Sequence, residues 1–592
     1  MIYTHDLGKL SCSKESDSAR FMLTSSGSFF YRNDKTRFRG LYFPELRNDV
    51  EWTMFKTLDT IKVNHTPYEL VNRQSEIIER SKSGTASYAL GKDGLKLVTD
   101  VKGEITLTVD MREIYDFGDA GRIYNIFEDH GCIIIEYKKY TSNVLDNISY
   151  TRFLAIKTDI SGRELVKAWK ECDFEDDSKR KSWPSRLYAY ECIRLKNNRR
   201  GTVAFSYGRS AEEAVFRAKA CFNSSPEPVK IYWEHGTIES MAAYNCAAAS
   251  LAGLYSEIGK TSGYFAGLPW FFQFWTRDLG ISAKALALIG KGDEAKKHLM
   301  SLLSLMDSSA RLPNRIPNST LGSADGTLWV FKRIGELAET KGMFNRIELE
   351  SIQSRLGAII TQNGDKLLEA KPGETWMDTT YGGDTRVGPR IEIQALYLAT
   401  LALASKLDLV LGKKAEFLPA ENRFKDLVAK EFYKEGYLWD GREDKTHRPN
   451  IFLAYYAYPN LLKKEEWESA FDKCLEKTWL DWGGLSTIDK SHPLFCEEYT
   501  GEDNRSYHRG DSWHFLNAIA AICMIKLNKE KYQGYIEKII AAEIKDILAL
   551  GLIGRPSELS SAKEERAEGS PYQLWSAAMT IELLNCHRTY MC

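Results

Sequence analysis

The sequence lacks most of the marks that assign a chain to a class at once. Its charges nearly cancel, with 80 Lys and Arg against 81 Asp and Glu in 592 residues. No positive excess is available for a nucleic-acid backbone or an anionic membrane surface. The 11 cysteines form no Cys-x-x-Cys pair and no Cys/His spacing of the zinc-binding kind. That excludes a disulfide framework and predicts reduced thiols in the cytoplasm. The opening residues, Met1-Ile2-Tyr3-Thr4-His5-Asp6, have neither the basic nor the apolar region of an export signal. No uninterrupted apolar run reaches the ~18–20 residues that span a bilayer. The expectation is a soluble, cytoplasmic protein without a nucleic-acid or membrane partner, a metal or a cofactor.

What is present is length and periodicity. A chain of 592 residues exceeds a single small core and predicts at least two domains. Residues 1 to about 210 read mostly as strands. Ile105 to Val109 alternates β-branched and polar residues. Arg122 to Phe127 and Cys132 to Tyr137 flank Glu128-Asp129-His130-Gly131, a hairpin signal. Leu187 to Leu195 and Thr202 to Tyr207 flank Asn197-Asn198-Arg199-Arg200-Gly201, which reads as a second hairpin. Many strands without long helices between them predict an antiparallel β-sandwich. A helix over 211–222 and the Pro-containing stretch Ser224-Ser225-Pro226-Glu227-Pro228 end this domain, placed at 1–228, and 229–592 forms the next.

In that second part the apolar period becomes helical. Twelve segments are predicted, near 236–258, 277–290, 293–307, 324–340, 344–369, 389–409, 414–434, 449–457, 464–477, 511–526, 530–549 and 571–586. Links after the even helices are short and plain, such as Gly290-Lys291-Gly292-Asp293. Junctions before the even helices are mostly longer and rich in Trp, Arg, Asp, Glu and His. Six hairpins with functional-looking residues at alternate junctions describe a closed double ring, an (α/α)6 barrel, with the rich loops at one end. An α-solenoid of stacked pairs would show a repeating sequence pattern, and none is apparent.

The richest junction is Gly373-Glu374-Thr375-Trp376-Met377-Asp378, followed by Tyr381-Gly382-Gly383-Asp384 and Gly388-Pro389-Arg390-Ile391-Glu392. Acids beside an aromatic at a helix N-terminus can grip a neutral polyol. The ring stacks on the apolar face of a sugar, and the carboxylates accept hydrogen bonds from its hydroxyls. Related designs recur at Trp275-Thr276-Arg277-Asp278, at Ala324-Asp325 with Leu328-Trp329, at Tyr507-His508 with Gly510 and Trp513, and at Ser557-Glu558 with Gln573 and Trp575.

These stretches, with Ile316-Pro317-Asn318 and Ala395-Leu396, resemble the C-terminal catalytic module of glycogen debranching enzymes, the amylo-α-1,6-glucosidase family. They occur in the family's order over about residues 265–580. The resemblance implies an (α/α)6 barrel that hydrolyses single glucoses from α-1,6 branch stubs of glycogen-like α-glucans with inversion. By position it implies Asp378 as general acid and Glu558 as general base. Two departures stand out: Leu559-Ser560-Ser561 follows Ser-Glu where the family has an apolar pair and an Asp, and Asp511 lies inside the Tyr-His-x-Gly-x-x-Trp motif.

Cleaving an acetal with inversion needs one carboxylic acid to protonate the leaving oxygen and one carboxylate to activate water, ~6.5–9.5 Å apart. Trp376 and Met377 predict an apolar setting that keeps a proton on Asp378. Arg555 predicts a positive neighbour that keeps Glu558 ionised. Trp275, Arg277, Asp278, Asp325, Trp376, Arg390, Glu392, His508 and Trp513 are the candidate substrate-binding residues. Arg390 and Glu392 read equally as a structural salt bridge, and Glu392 is the reserve acid. His508 and His514 lack the i, i+4 spacing of a metal pair. The competing readings are a glucoamylase- or trehalase-like exo-α-glucosidase, a glycoside phosphorylase, which would lack the base, and a non-catalytic carbohydrate-binding barrel, which could lack either acid.

Overall fold

The structure, a computed structural model, describes residues 1–140, 150–317 and 322–590. Asn318 of the Ile-Pro-Asn motif lies outside the described residues. The chain forms two compact units. One comprises Met1–Ser262 with Ile547–Arg555, the other Gly263–Asp546 with Pro556–Cys592.

The first unit is a sandwich of a ten-stranded and a seven-stranded sheet. Inward residues of both sheets, among them Phe30, Leu58, Leu107, Leu97, Ile135 and Phe205, share one buried cluster. Apolar residues at every second position supply that layer, as pleating requires. The hairpin of Arg122–Asp129 and Cys132–Lys139 pairs Asp129 with Cys132. It turns on His130 and Gly131, both at positive φ (47° and 72°), the two-residue connection that matches strand twist.

Two expectations for this unit need correction. Ile2–Leu7 pairs in parallel with Pro67–Asn72, so the sandwich is not wholly antiparallel. Arg186–Asn197 and Gly201–Gly208 do not form a hairpin: the first joins the seven-stranded sheet and the second the ten-stranded one. The link between them is an arch from sheet to sheet. Asn197 at its start is buried and donates from Nδ2 to the Val101 carbonyl. Helices α1 (Glu175–Lys179), α2 (Ala211–Asn223) and α3 (Ile238–Gly253) complete the unit. Ser210 and Thr237 cap α2 and α3 by accepting from Glu213 and Ser240 N–H groups. The first of the twelve helices expected in the barrel therefore lies in the first unit.

The second unit contains α4 (Thr276–Leu288), α5 (Gly292–Ser304), α6 (Gly326–Leu337), α7 (Arg346–Asn363), α8 (Ile391–Val410), α9 (Leu418–Phe432), α10 (Asn450–Ala457), α11 (Lys464–Thr478), α12 (His514–Lys545) and α13 (Leu574–Thr589). Helix α12 breaks at Asn528, whose φ and ψ are −164° and 86°. Helix α4 packs on α6, α6 on α8, α8 on α10, α10 on α12, α12 on α13, and α13 back on α4. This closed circuit is the inner ring of an (α/α)6 barrel.

Composition sorts the helices into rings. Every residue of α10 is buried, as expected of a helix surrounded by protein. Helix α11 buries a single stripe, Trp467, Ala470, Phe471, Cys474, Leu475 and Thr478, and lies outside. Helix α8 is the one helix among the described residues long and apolar enough to cross a membrane. Most of it is buried in the ring. Gly280 lets α4 and α6 touch, since a Cβ there would sit 2.8 Å from Trp329 Cβ. Buried Arg333 of α6 donates to the Gly280 and Ile281 carbonyls, Tyr456 and Glu582, tying α6 to α4, α10 and α13.

Candidate active site

Short two-stranded bridges brace the junctions before three inner helices. Phe274–Trp275 pairs with Arg315–Ile316 before α4, and Ser512–Trp513 with Leu559–Ser560 before α12. Gly267–Leu268 pairs with Tyr572–Gln573 before α13. The first turns of these helices therefore begin from fixed backbone.

Arg277, in the first turn of α4, is buried. Its Nε donates to both carboxylate oxygens of Asp325 at 2.8 Å, and Nη2 donates to the Glu374 carbonyl at 3.3 Å. Its Nη1 lies 3.6 Å from Asp378 Oδ2. Asp325 is itself buried and accepts from Ser323 Oγ. It therefore aims Arg277 and does not open onto the mouth as a sugar-facing acid.

Asp378 is the exposed member of its loop, with 38% of its side chain accessible. Its neighbours are Arg277 and His508, whose Nε2 lies 3.4 Å from Asp378 Oδ1. The apolar setting expected from Trp376 and Met377 is not there, because both turn into the interior. Trp376 donates from Nε1 to Asn450 Oδ1 and meets His508, Trp513 and Phe515 edge-on. It is a buried support and offers no free face for a sugar.

His508 rests on that support, stacked on Trp513 with ring centroids 5.1 Å apart. Burial brings its pKa down to about 4 against the pull of Asp378, so it is neutral near pH 7. Its Nδ1 is buried and has no hydrogen-bond partner among the described residues. An orphaned N–H is costlier than an orphaned lone pair. The proton therefore sits on Nε2 and points to Asp378. Trp513 is also buried and donates from Nε1 to the Tyr507 carbonyl. It holds up this pair from below.

Glu558 is buried and accepts from the Tyr507 hydroxyl and the Ser570 N–H, each at 2.7 Å. Gly569, at φ 66°, is required beside it: a Cβ there would lie 2.3 Å from Glu558 Oε2. The Arg555 guanidinium donates to the carbonyls of Met22, Gln74 and Gly554 and to Ser250 Oγ. Donors on Glu558 thus include a phenol and a backbone amide, neither adjacent to it in sequence.

Asp278 follows Arg277 in the first turn of α4, within electrostatic reach of both acids. It is buried, and its pKa rises to about 8, first from burial and then from the carboxylates of Glu558 and Asp378, with Arg277 opposing. The same two carboxylates act on Tyr507, whose pKa burial already raises. Arg277, Asp278, Asp325, Asp378, Tyr507, His508 and Glu558 thus form one constellation. Trp275 is half-buried at the start of α4, with Arg315 over its ring at 5.5 Å.

Arg390 and Glu392 belong to a separate buried network and do not pair with each other. Arg390 donates to Asp440 and Asp444, and Glu392 accepts from Arg386 at 2.7 and 3.2 Å. Burial raises the pKa of Glu392 despite Arg386. Arg386 also donates to Thr375 Oγ1, so the network underlies the loop that carries Asp378. From the far side of that loop Asp384 accepts from Arg448 and pairs with Arg509, which donates to the Thr379 carbonyl. Asp511 is buried, accepts from Ser506 Oγ through Oδ2, and is driven well above the usual carboxylate range by burial. Among the described residues no group of three or more His, Cys, Asp or Glu is arranged to hold a metal ion.

Sequence reasoning gave no role to Tyr507, Arg386, Asp440, Arg448 or Arg509. Only Tyr507 carried a signal, its adjacency to His508.

The family model described as amylo-alpha-1,6-glucosidase matches residues 248–582. No curated protein matches the chain. Among solved structures, a bacterial glucoamylase complexed with acarbose is similar over 98% of this chain and 95% of its own, at 11% identity and a TM-score of 0.67. A GH63 mannosylglycerate hydrolase from Thermus thermophilus, in complex with Tris and D-glycerate, covers 57% of this chain and 99% of its own at 13% identity and a TM-score of 0.45. The first likeness shows the fold, and the inner ring closed by α13 on α4 agrees with it. With the family model matched across the barrel and its loops, the chain belongs to the amylo-alpha-1,6-glucosidase family and is a glycoside hydrolase.

Proposed function

We propose that the enzyme releases glucose from α-1,6 branch stubs of glycogen-like α-glucans by inversion, with Asp378 as general acid and Glu558 as general base. The observation that carries this reading is the pair Tyr507-His508, whose hydroxyl and imidazole reach Glu558 and Asp378 respectively. Asp378, exposed at the mouth, suits proton delivery to a leaving oxygen that still belongs to the glucan. Glu558, buried and fixed by two donors, suits a water held on the opposite face of the sugar. Arg277 and the neutral Asp278 bind sugar hydroxyls, Arg277 as donor and Asp278 as donor or acceptor. The free thiols of the ten described cysteines are consistent with work in the cytoplasm.

The test is product analysis by NMR on an α-1,6-branched dextrin trimmed to single-glucose stubs. β-Glucose appearing first supports the reading. α-Glucose or glucose 1-phosphate as first product overturns the mechanism. Hydrolysis of linear maltooligosaccharides in preference to the stubs would move the assignment to a glucoamylase-like exo-α-glucosidase.

A further inference from the structure

We propose that His514, acting with Asp546, is a positioning residue that sets where Glu558 presents its carboxylate. The inference rests on Glu558 being the base and adds how that base is held.

Residues on both sides of Glu558 are anchored to one buried cluster. On the N-terminal side, Ser557 donates its N–H (2.8 Å) and its hydroxyl (2.6 Å) to the Asp546 carboxylate. On the C-terminal side, Ser560 Oγ lies 3.3 Å from His514 Nε2. The His514 N–H donates to the Glu558 carbonyl at 3.3 Å. The imidazole in turn bonds Glu543 Oε1 through Nδ1 at 3.0 Å and lies 3.8 Å from Asp546 through Nε2. Thr580 of α13 donates to the other Glu543 oxygen.

Three carboxylates act on the ring: Glu543, Asp546 and Glu565, the last also bonded to Lys545. Burial alone would lower the His514 pKa, but these acids outweigh it and bring it to about 9. Both ring nitrogens therefore carry protons near neutral pH, and both donate. A neutral ring protonated on Nδ1 could still donate to Glu543 and accept from the Ser560 hydroxyl, but it would give up its charge beside Asp546, the anchor of Ser557. A side chain fixed by the backbone on either side is the arrangement that preorganised catalysis needs, since a displacement of about 1 Å can cost 10²-fold in rate.

The experiment compares wild type, His514→Gln, Ser560→Ala, Glu558→Ala and the double variant His514→Gln/Glu558→Ala. The substrates are isomaltose, which needs both acid and base, and α-glucosyl fluoride, whose leaving group needs no proton. His514→Gln should lower kcat by roughly 10- to 100-fold on both substrates with little change in KM, Ser560→Ala should lower it less, and the double variant should be no slower than Glu558→Ala. Ser560→Ala alters no charge and tests the tether if His514→Gln fails to fold. Unchanged kcat in either folded single variant, a loss confined to isomaltose, or additive losses in the double variant would overturn the role of His514. Retained activity in Glu558→Ala would instead overturn the assignment of the base.

Discussion

Tyr507 and His508 are neighbours in the chain yet serve different acids: the Tyr507 hydroxyl donates to Glu558 Oε1 at 2.7 Å, and His508 Nε2 lies 3.4 Å from Asp378 Oδ1. Their rings sit 4.8 Å apart over Trp513. A single dipeptide thus relates two carboxylates from distant stretches of sequence.

Separate lesions on its two residues should divide the reaction. Tyr507→Phe removes a donor from Glu558 and should slow isomaltose and α-glucosyl fluoride alike, by about 10-fold if the bond contributes ~1.5 kcal/mol as one to a charged group does. His508→Ala acts on the acid side and should slow isomaltose while sparing the fluoride. Equal slowing of both substrates by His508→Ala would count against Asp378 as the acid. The same comparison applied to Asp378→Asn should leave the fluoride as the better substrate by a wide margin.

Asp278 should govern the alkaline limb. Its carboxyl is raised to about 8 by burial and by its two acidic neighbours, so it is neutral below that pH and ionises above it. A new negative charge beside the Glu558 carboxylate should then lower kcat/KM as pH rises through about 8. Asp278→Asn should remove this transition from the pH profile of kcat/KM. A profile still falling at the same pH in the variant would assign the limb to another group.

Asp511 should cost stability at neutral pH. Its pKa is raised in the fold, with burial the leading cause, so folding favours the protonated form. The penalty is absent below the unfolded value near 4 and grows as pH rises toward the folded one. Asp511→Asn keeps an acceptor for Ser506 and cannot ionise. It should stabilise the protein at pH 7 by ~1–3 kcal/mol, the order of an unpaired buried polar group, with the gain shrinking toward pH 4. Thermal melts across that range check the sign.

Arg333 should matter for the ring and not for the chemistry. Its guanidinium and Glu582 are both buried and paired at 2.9 Å, so Arg333→Ala leaves that carboxylate inside the barrel with only Lys284, at 3.5 Å, and the Tyr456 hydroxyl to offset part of the loss. Losses of ~3–5 kcal/mol are typical for removing one partner of such a pair, and denaturant unfolding should show it. Arg333→Ala/Glu582→Ala should recover part of the loss.

Several features are legible in the sequence alone. The hairpin at His130-Gly131 announces itself because a two-residue turn fixes both register and partner. The arch after Asn197 does not, since alternation reports a strand's faces but not which sheet accepts it. The alternation of plain and rich junctions exposed the inner ring, because helices buried all round and helices buried on one stripe differ in composition. The candidate acids came from the family motifs in the junctions before inner helices. Their partners could not be found that way: Arg277 with Asp325, Arg386 with Asp440 and Tyr507 with Glu558 are joined by packing over long sequence separations, where local pattern carries no distance.

By itself the sequence determined the two-part architecture, the helical ring and the family motifs that carry the two proposed acids, because periodicity, turn chemistry and motif order are local properties. Only the tertiary structure decided that Trp376 and Trp513 are buried against His508, that Asp325 aims Arg277, and that Glu558 accepts from Tyr507 and Ser570 in space left by the glycine at 569. Those outcomes depend on which side chains share a buried volume, and burial and pairing there are settled by the whole fold at once.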